Sequence, residues 1–210
     1  MMEIRIHGRG GQGAVIASQI LAEAAFREQM YVQAFPSFGS ERRGAPVRAF
    51  LRLDRSPVLV RSEIYRPDAI IILDPGLVTL GLDDVFSGLK PGGWILINSP
   101  HDPSEFAELA GFSVATVDGS AIGRSHKLGS ATAPIVNTAM AGAFVSLSGI
   151  ASLANLAEAV RSAVPIKPEE NVAAAMEGAE KVRKLSKSNA GLHPIADAPE
   201  TPQAVGTLEA

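Results

Sequence analysis

The chain has 210 residues, 46% hydrophobic and 20% charged, with a formal net charge of −3. That balance suits one soluble α/β domain with a real core and excludes a general nucleic-acid binder. The absence of cysteine excludes disulfides and iron–sulfur ligation by this chain, and the scattered histidines (His7, His101, His126, His193) have no zinc spacing. No apolar run is long enough for a membrane span and the N-terminus has no signal-peptide pattern, so a cytoplasmic location is expected.

In Glu3–His7, Ile4 and Ile6 alternate with polar residues, which predicts a strand. A turn rich in glycine follows (Gly8, Gly10, Gly11, Gly13). The next stretch, from about Gln12 to Gln29, is rich in Ala, Leu and Ile, lacks proline and predicts a helix. Tyr31–Phe35 predicts a second strand, so the chain opens as β-α-β. Pro36–Pro46 reads as a loop. Val47–Leu53 alternates, with Arg48 and Arg52 on one side, and Arg55–Val60 is predicted as its hairpin partner around a turn at Asp54–Pro57.

Ala69–Leu73 and Trp94–Asn98 have the composition of fully buried strands, with partly helical sequence between them. In the segment from Asp102 to Gly111, Asp102 as N-cap, Pro103, Glu105 and a terminal glycine predict a helix. Phe112–Val117 is a further strand. From Asn137, the predicted N-cap, an apolar helix rich in small residues begins. A helix capped by Ser152 follows, then one from Pro168 to about Leu185 with acids early and Lys/Arg late. The expected fold is a three-layer α/β/α domain over residues 1–185 with a mixed, largely parallel sheet. Residues 186–210 read as a tail without a core.

Three sites stand out. The glycine turn, with Gly8, Gly10, Gly11, Gln12 and Gly13, joins a strand to a helix and so exposes backbone N–H groups beside a helix N-terminus. It matches neither G-x-G-x-x-G nor the phosphate loop with its Lys-Ser/Thr, and no acid ends the second strand to take a ribose. A phosphate cradle, a tight packing turn and a dinucleotide site all remain open on this pattern. The loop around Ser40, Arg42 and Arg43 follows the second strand, where ligands of α/β sheets bind, and guanidinium groups suit phosphate or carboxylate. Seven of the 13 arginines fall between Arg42 and Arg66, a basic concentration suited to an anionic ligand or partner. Asp74 at a strand end caps a turn or serves a site. His7 reads as a satisfied polar residue at a strand end. No nucleophile, base or metal set is complete, so no catalytic residue is assigned.

The segments "GRGGQGAV", "QAFPSFGSERRGAPV" and "NTAMAGAF" resemble the gamma subunit of 2-oxoacid:ferredoxin oxidoreductases, the pyruvate enzyme among them, from about Glu3 to Leu185. The resemblance implies a subunit of an enzyme that converts a 2-oxoacid and coenzyme A to acyl-CoA and carbon dioxide and reduces ferredoxin. Thiamine diphosphate, magnesium and 4Fe–4S clusters would lie in alpha, beta and delta partner subunits. This chain would carry no complete active site. The glycine turn, Ser40, Arg42, Arg43 and Asn137 would contact coenzyme A. The same resemblance admits a purely structural assembly subunit, or a gamma subunit serving an aromatic 2-oxoacid (phenylglyoxylate, indolepyruvate), with ferredoxin or a flavin/NAD module as acceptor.

Overall fold

A computed structural model describes residues 1–37, 45–79 and 83–185. Seven strands form one sheet: β1 (Met2–Arg9), β2 (Tyr31–Ser37), β3 (Pro46–Asp54), β4 (Ala69–Ile72), β5 (Trp94–Asn98), β6 (Ser113–Val117) and β7 (Arg183–Leu185). Their order is β2-β3-β1-β4-β5-β6-β7. β1, β4, β5 and β6 are mutually parallel, while β3 is antiparallel to both β1 and β2, and β7 is antiparallel to β6. This is the mixed, largely parallel α/β sheet expected from the alternating strands and helices.

The helices are α1 (Ala14–Arg27), α2 (Gly76–Thr79), α3 (Asp83–Phe86), α4 (Gly119–Ser125), α5 (Asn137–Ser148), α6 (Leu153–Ala163) and α7 (Pro168–Lys181). Side chains of successive strand residues point to opposite faces, which divides the core in two. Ile4, Ile6, Ile71 and Leu96 face the larger core, built with α1, α5, α6 and α7. Ile70, Ile72, Ile95 and Ile97 face a thinner layer that includes Leu77, Val85 and Leu109. The apolar α5 is buried along almost its whole length and lies backbone-close to α7. A Cβ on Gly142 would overlap the Ala175 carbonyl, and one on Gly178 would overlap that of Ala139. Glu28 at the end of α1 accepts from Ser152 N–H and Asn155 Nδ2, both at 2.8 Å, and so ties α1 to the start of α6.

Four expectations need correction. Arg55–Val60 is not a strand; the hairpin partner of β3 is β2, with Phe35 opposite Phe50 and Gln33 opposite Arg52. Asp54 does start a turn, accepting from Ser56 N–H, but the chain then crosses the sheet face, where Arg52 donates to the carbonyls of Val60 and Glu63. The segment from Asp102 forms two single 3₁₀ turns (Pro103–Glu105, Ala107–Leu109), although the capping box is made as expected. Both turns close with i→i+3 bonds, and Phe106 breaks the helical geometry between them. α7 ends at Lys181, and Arg183–Leu185 returns as an edge strand, with Arg183 donating to the carbonyls of Pro100 and His101. α5 is capped by Val136, not Asn137. Asn137 is the first helical residue, and its Oδ1 accepts from the next N–H, Thr138, at 2.8 Å, so it satisfies the helix start from one position inside. α4, which no expectation covered, begins at an Asp118 cap that accepts from Ala121 N–H. Residues 186–210 lie outside the described residues.

Candidate functional site

The glycine turn has the geometry its composition demands. Gly11 (φ 98°) and Gly13 (φ 81°) sit in the left-handed region that glycine tolerates and other residues resist. Gly13 is the N-cap of α1 and offers no side chain, so no side-chain cap bonds the first N–H groups of the helix. At Gly8 a Cβ would crowd both Gln12 Oε1 and Leu73. The turn is braced from within: Arg9 N–H donates to Gln12 Oε1 (2.7 Å), and Gln12 N–H donates to the Arg9 carbonyl (3.0 Å).

Asp74, just past β4, locks this turn to the neighbouring strand. Its Oδ2 accepts from Arg9 Nε (2.9 Å) and Gln12 Nε2 (3.0 Å), and its Oδ1 accepts from Gly76 N–H (2.8 Å). Asp74 therefore both caps its own turn and reaches the candidate site. On the next strand, Asn98 Nδ2 donates to the Leu73 carbonyl and to Ser120 Oγ, while its Oδ1 accepts from Ser120 N–H. These bonds chain together the carboxyl ends of β1, β4 and β5 and the start of α4.

A cavity of about 380 Å³ opens at these strand ends. Its lining includes Gly10, Gly11 and Gln12 of the turn, Asp74 and Asn98 from the strand ends, and Ser120 and Arg124 of α4. Its size and its place beyond the carboxyl ends of parallel strands are those of a small-molecule site. The N-termini of α1 and α5 meet beside it. The Asn137 carboxamide packs on Gly13 so closely that a Cβ there would stand 2.5 Å from Nδ2. Neither helix carries an acid in its first turn, so both dipole ends present positive potential.

The sequence-assigned residues divide accordingly. Gly10, Gly11 and Gln12 line the cavity; Gly8 and Gly13 shape the turn; Asn137 is buried behind it. Ser40, Arg42 and Arg43 lie outside the described residues. The described residues on either side, Ser37 and Ala45, stand at the same end of the sheet, and Gly10 N–H donates to the Ala45 carbonyl (3.0 Å). Sequence reading missed Asn98, Ser120 and Arg124. Only the Asp118 cap signal, had it been read, would have marked α4 as an element there.

The basic concentration is in part structural. Arg52 is 1% exposed, paired with Glu3 (2.9 Å) and Gln33 (2.9 Å), with its guanidinium over the Phe35 ring. Arg55 donates to the Glu28 carbonyl. His7 corrects the expectation of a satisfied strand-end residue: it is 4% exposed, and its Nε2 has no hydrogen-bond partner among the described residues. Burial first, then the positive charges of Arg5 and Arg48, lower its pKa to about 3, so it is held as neutral imidazole.

Together these features define an α/β domain of the open-sheet kind, with a polar, glycine-lined cavity at the strand carboxyl ends. A family model described as pyruvate ferredoxin/flavodoxin oxidoreductase matches residues 3–181, and the chain belongs to that family. It is 46% identical over 186 residues to pyruvate synthase subunit PorC of Methanothermobacter thermautotrophicus, covering 88% of this chain and 98% of that one. It is 47% identical over 164 residues to the common gamma subunit of the pyruvate/ketoisovalerate oxidoreductases of Thermococcus litoralis, covering 77% and 85%. The crystal structure of pyruvate oxidoreductase subunit PORC from Thermotoga maritima superposes with a TM-score of 0.72 at 34% identity, covering 87% and 97%. The chain is a gamma subunit of a pyruvate or 2-oxoacid ferredoxin oxidoreductase.

Proposed function

We propose that this chain seats coenzyme A for a multi-subunit enzyme that converts a 2-oxoacid and coenzyme A to acyl-CoA and carbon dioxide and passes the electrons to ferredoxin. Alpha, beta and delta subunits would hold thiamine diphosphate, magnesium and 4Fe–4S clusters, the whole assembly working in the cytoplasm. The chain's own part is binding. The uncapped N-terminus of α1 offers donors to a phosphate-type group beside the cavity, while the N–H groups of Arg9, Gly10 and Gln12 are spent on holding the turn. Gln12 and Asp74 keep the turn in its receiving shape. Arg42 and Arg43, which lie outside the described residues, would add cations for the same group.

The observation that carries this reading is the meeting of two helix N-termini, neither with an acid in its first turn, beside a polar, glycine-lined cavity. Hydrogen exchange on the assembled enzyme tests it: coenzyme A should slow exchange across Gly10–Ile16. Unchanged exchange at saturating coenzyme A would leave a purely structural role for the turn. Purification of the chain from its own cell, with thiamine and iron assays on the eluate, tests the partner assignment.

A further inference from the structure

Among the described residues, the charged and amide side chains of the cavity are engaged with one exception. Asp74 is bound by Arg9, Gln12 and the Gly76 N–H, and Asn98 by the Leu73 carbonyl and Ser120. Arg124 lines the same cavity from the last turn of α4, is exposed, and has no hydrogen bond or ion pair to its guanidinium among the described residues. Several other arginines of the fold are engaged, Arg9 with Asp74, Arg27 with Glu23, Arg52 with Glu3, and Arg161 with Glu158 and Glu169.

The backbone that carries Arg124 is held firmly. Asp118 caps α4, Ser120 is bonded to Asn98, and at Gly123 the helix presses on the Ile135 carbonyl, where a Cβ would stand at 2.6 Å. Asp74 is neutralised locally by Arg9, so among the described residues the charge of Arg124 is the one left uncompensated at the cavity. A planar guanidinium fork matches the oxygens of a phosphate-type anion.

We propose that Arg124 is a cation that fixes the anionic ligand of this cavity, gripping a phosphate-type group from the α4 side while the uncapped start of α1 offers backbone donors. The proposal rests on the reading of the cavity as the coenzyme A seat. It assigns Arg124 a binding role that the motifs of the glycine turn and of the Arg42/Arg43 loop do not include.

The test uses the assembled oxidoreductase with the 2-oxoacid saturating and coenzyme A varied. Arg124→Ala should raise the KM for coenzyme A about tenfold, with the change carried by KM rather than kcat. Arg124→Lys should recover part of it, and the gap between wild type and Arg124→Ala should narrow as salt is raised, because the contact is exposed. Arg124→Gln serves as a second charge-removing variant should the alanine chain fail to assemble. Gln12→Ala, which loosens the turn, is measured alongside. If Gln12→Ala raises KM and the Arg124 variants do not, the Arg124 assignment is overturned and the coenzyme A reading stands. If neither raises it, both are overturned. A loss confined to kcat in Arg124→Ala also overturns the assignment.

Discussion

Gly13, with φ 81°, lies directly against the Asn137 carboxamide, and this contact joins the start of α1 to the start of α5. Two separate penalties therefore oppose any side chain at position 13: the left-handed backbone and the lack of space. Gly11 has the same backbone demand (φ 98°) but open space around it. Gly11→Ala should cost about 1 kcal/mol and Gly13→Ala about 2–4 kcal/mol in denaturant unfolding. Adding Asn137→Ala to Gly13→Ala should return part of the loss, a non-additivity that a double-mutant cycle reads. Equal costs at 11 and 13 would contradict the close packing.

Asp74 is the common acceptor for Arg9, Gln12 and Gly76. Asp74→Ala strands three donors at once, which should destabilise the chain by about 1–3 kcal/mol. The effect should be local: amide exchange should accelerate at Arg9–Gly13 and at Gly76–Val78 before it changes in α5. Uniform acceleration across the sheet would mean that Asp74 supports the whole fold rather than the turn.

His7 links stability to acid. Its folded pKa is lowered to about 3 from 6.5, so the unfolded chain binds a proton below about 6.5 while the folded chain does not until about 3. Its effect on stability is therefore nil above the unfolded value and grows as pH falls toward the folded value. Between pH 7 and pH 5, wild type should lose about 2 kcal/mol more than His7→Asn, which has no such proton to take up. Parallel stability curves for the two proteins over that range would refute it.

Arg52 and Glu3 form an ion pair on the sheet face, with Arg52 1% exposed and further bonded to Gln33 and to the Val60 and Glu63 carbonyls. Arg52→Leu removes one charge and leaves Glu3, Gln33 and two carbonyls without that donor. Unfolding should become easier by about 3–5 kcal/mol. Susceptibility to proteolysis should rise first in 55–66, the segment that Arg52 holds against the sheet. A loss below about 1 kcal/mol would show that water satisfies these groups as well.

The strands with the strongest patterns were legible in the sequence. Ile70–Ile72 and Trp94–Asn98 are buried on both faces, so an unbroken apolar run was enough. The glycine turn was legible because left-handed backbone leaves a mark in composition. The partner of β3 was not, because hairpin signals are local: Asp54 and Pro57 announce a turn, and nothing near them says that Arg52 will capture the next carbonyls for the sheet face. The 3₁₀ turns at 103–109 show the reverse. Their capping box is as strong as that of an α-helix, and the signal fixes where a turn begins without fixing how far it continues. In the site, the glycines declared themselves, while Asn98, Ser120 and Arg124 are ordinary residues until β5 and α4 bring them to one edge.

The insertion of β3 between β1 and β2 has a mechanical consequence. The crossover through α1 connects strands two spacings apart, about 10 Å, close to the width of a helix with its side chains. α1 thus touches β1, β2 and β3 together, its small Ala17, Ala24 and Ala25 turned into the core. Like a rafter laid across three beams, the helix cannot tilt without losing its packing on all three strands at once. The glycine turn hangs from its end and inherits that stiffness, so whatever settles there meets a receptor shaped before it arrives.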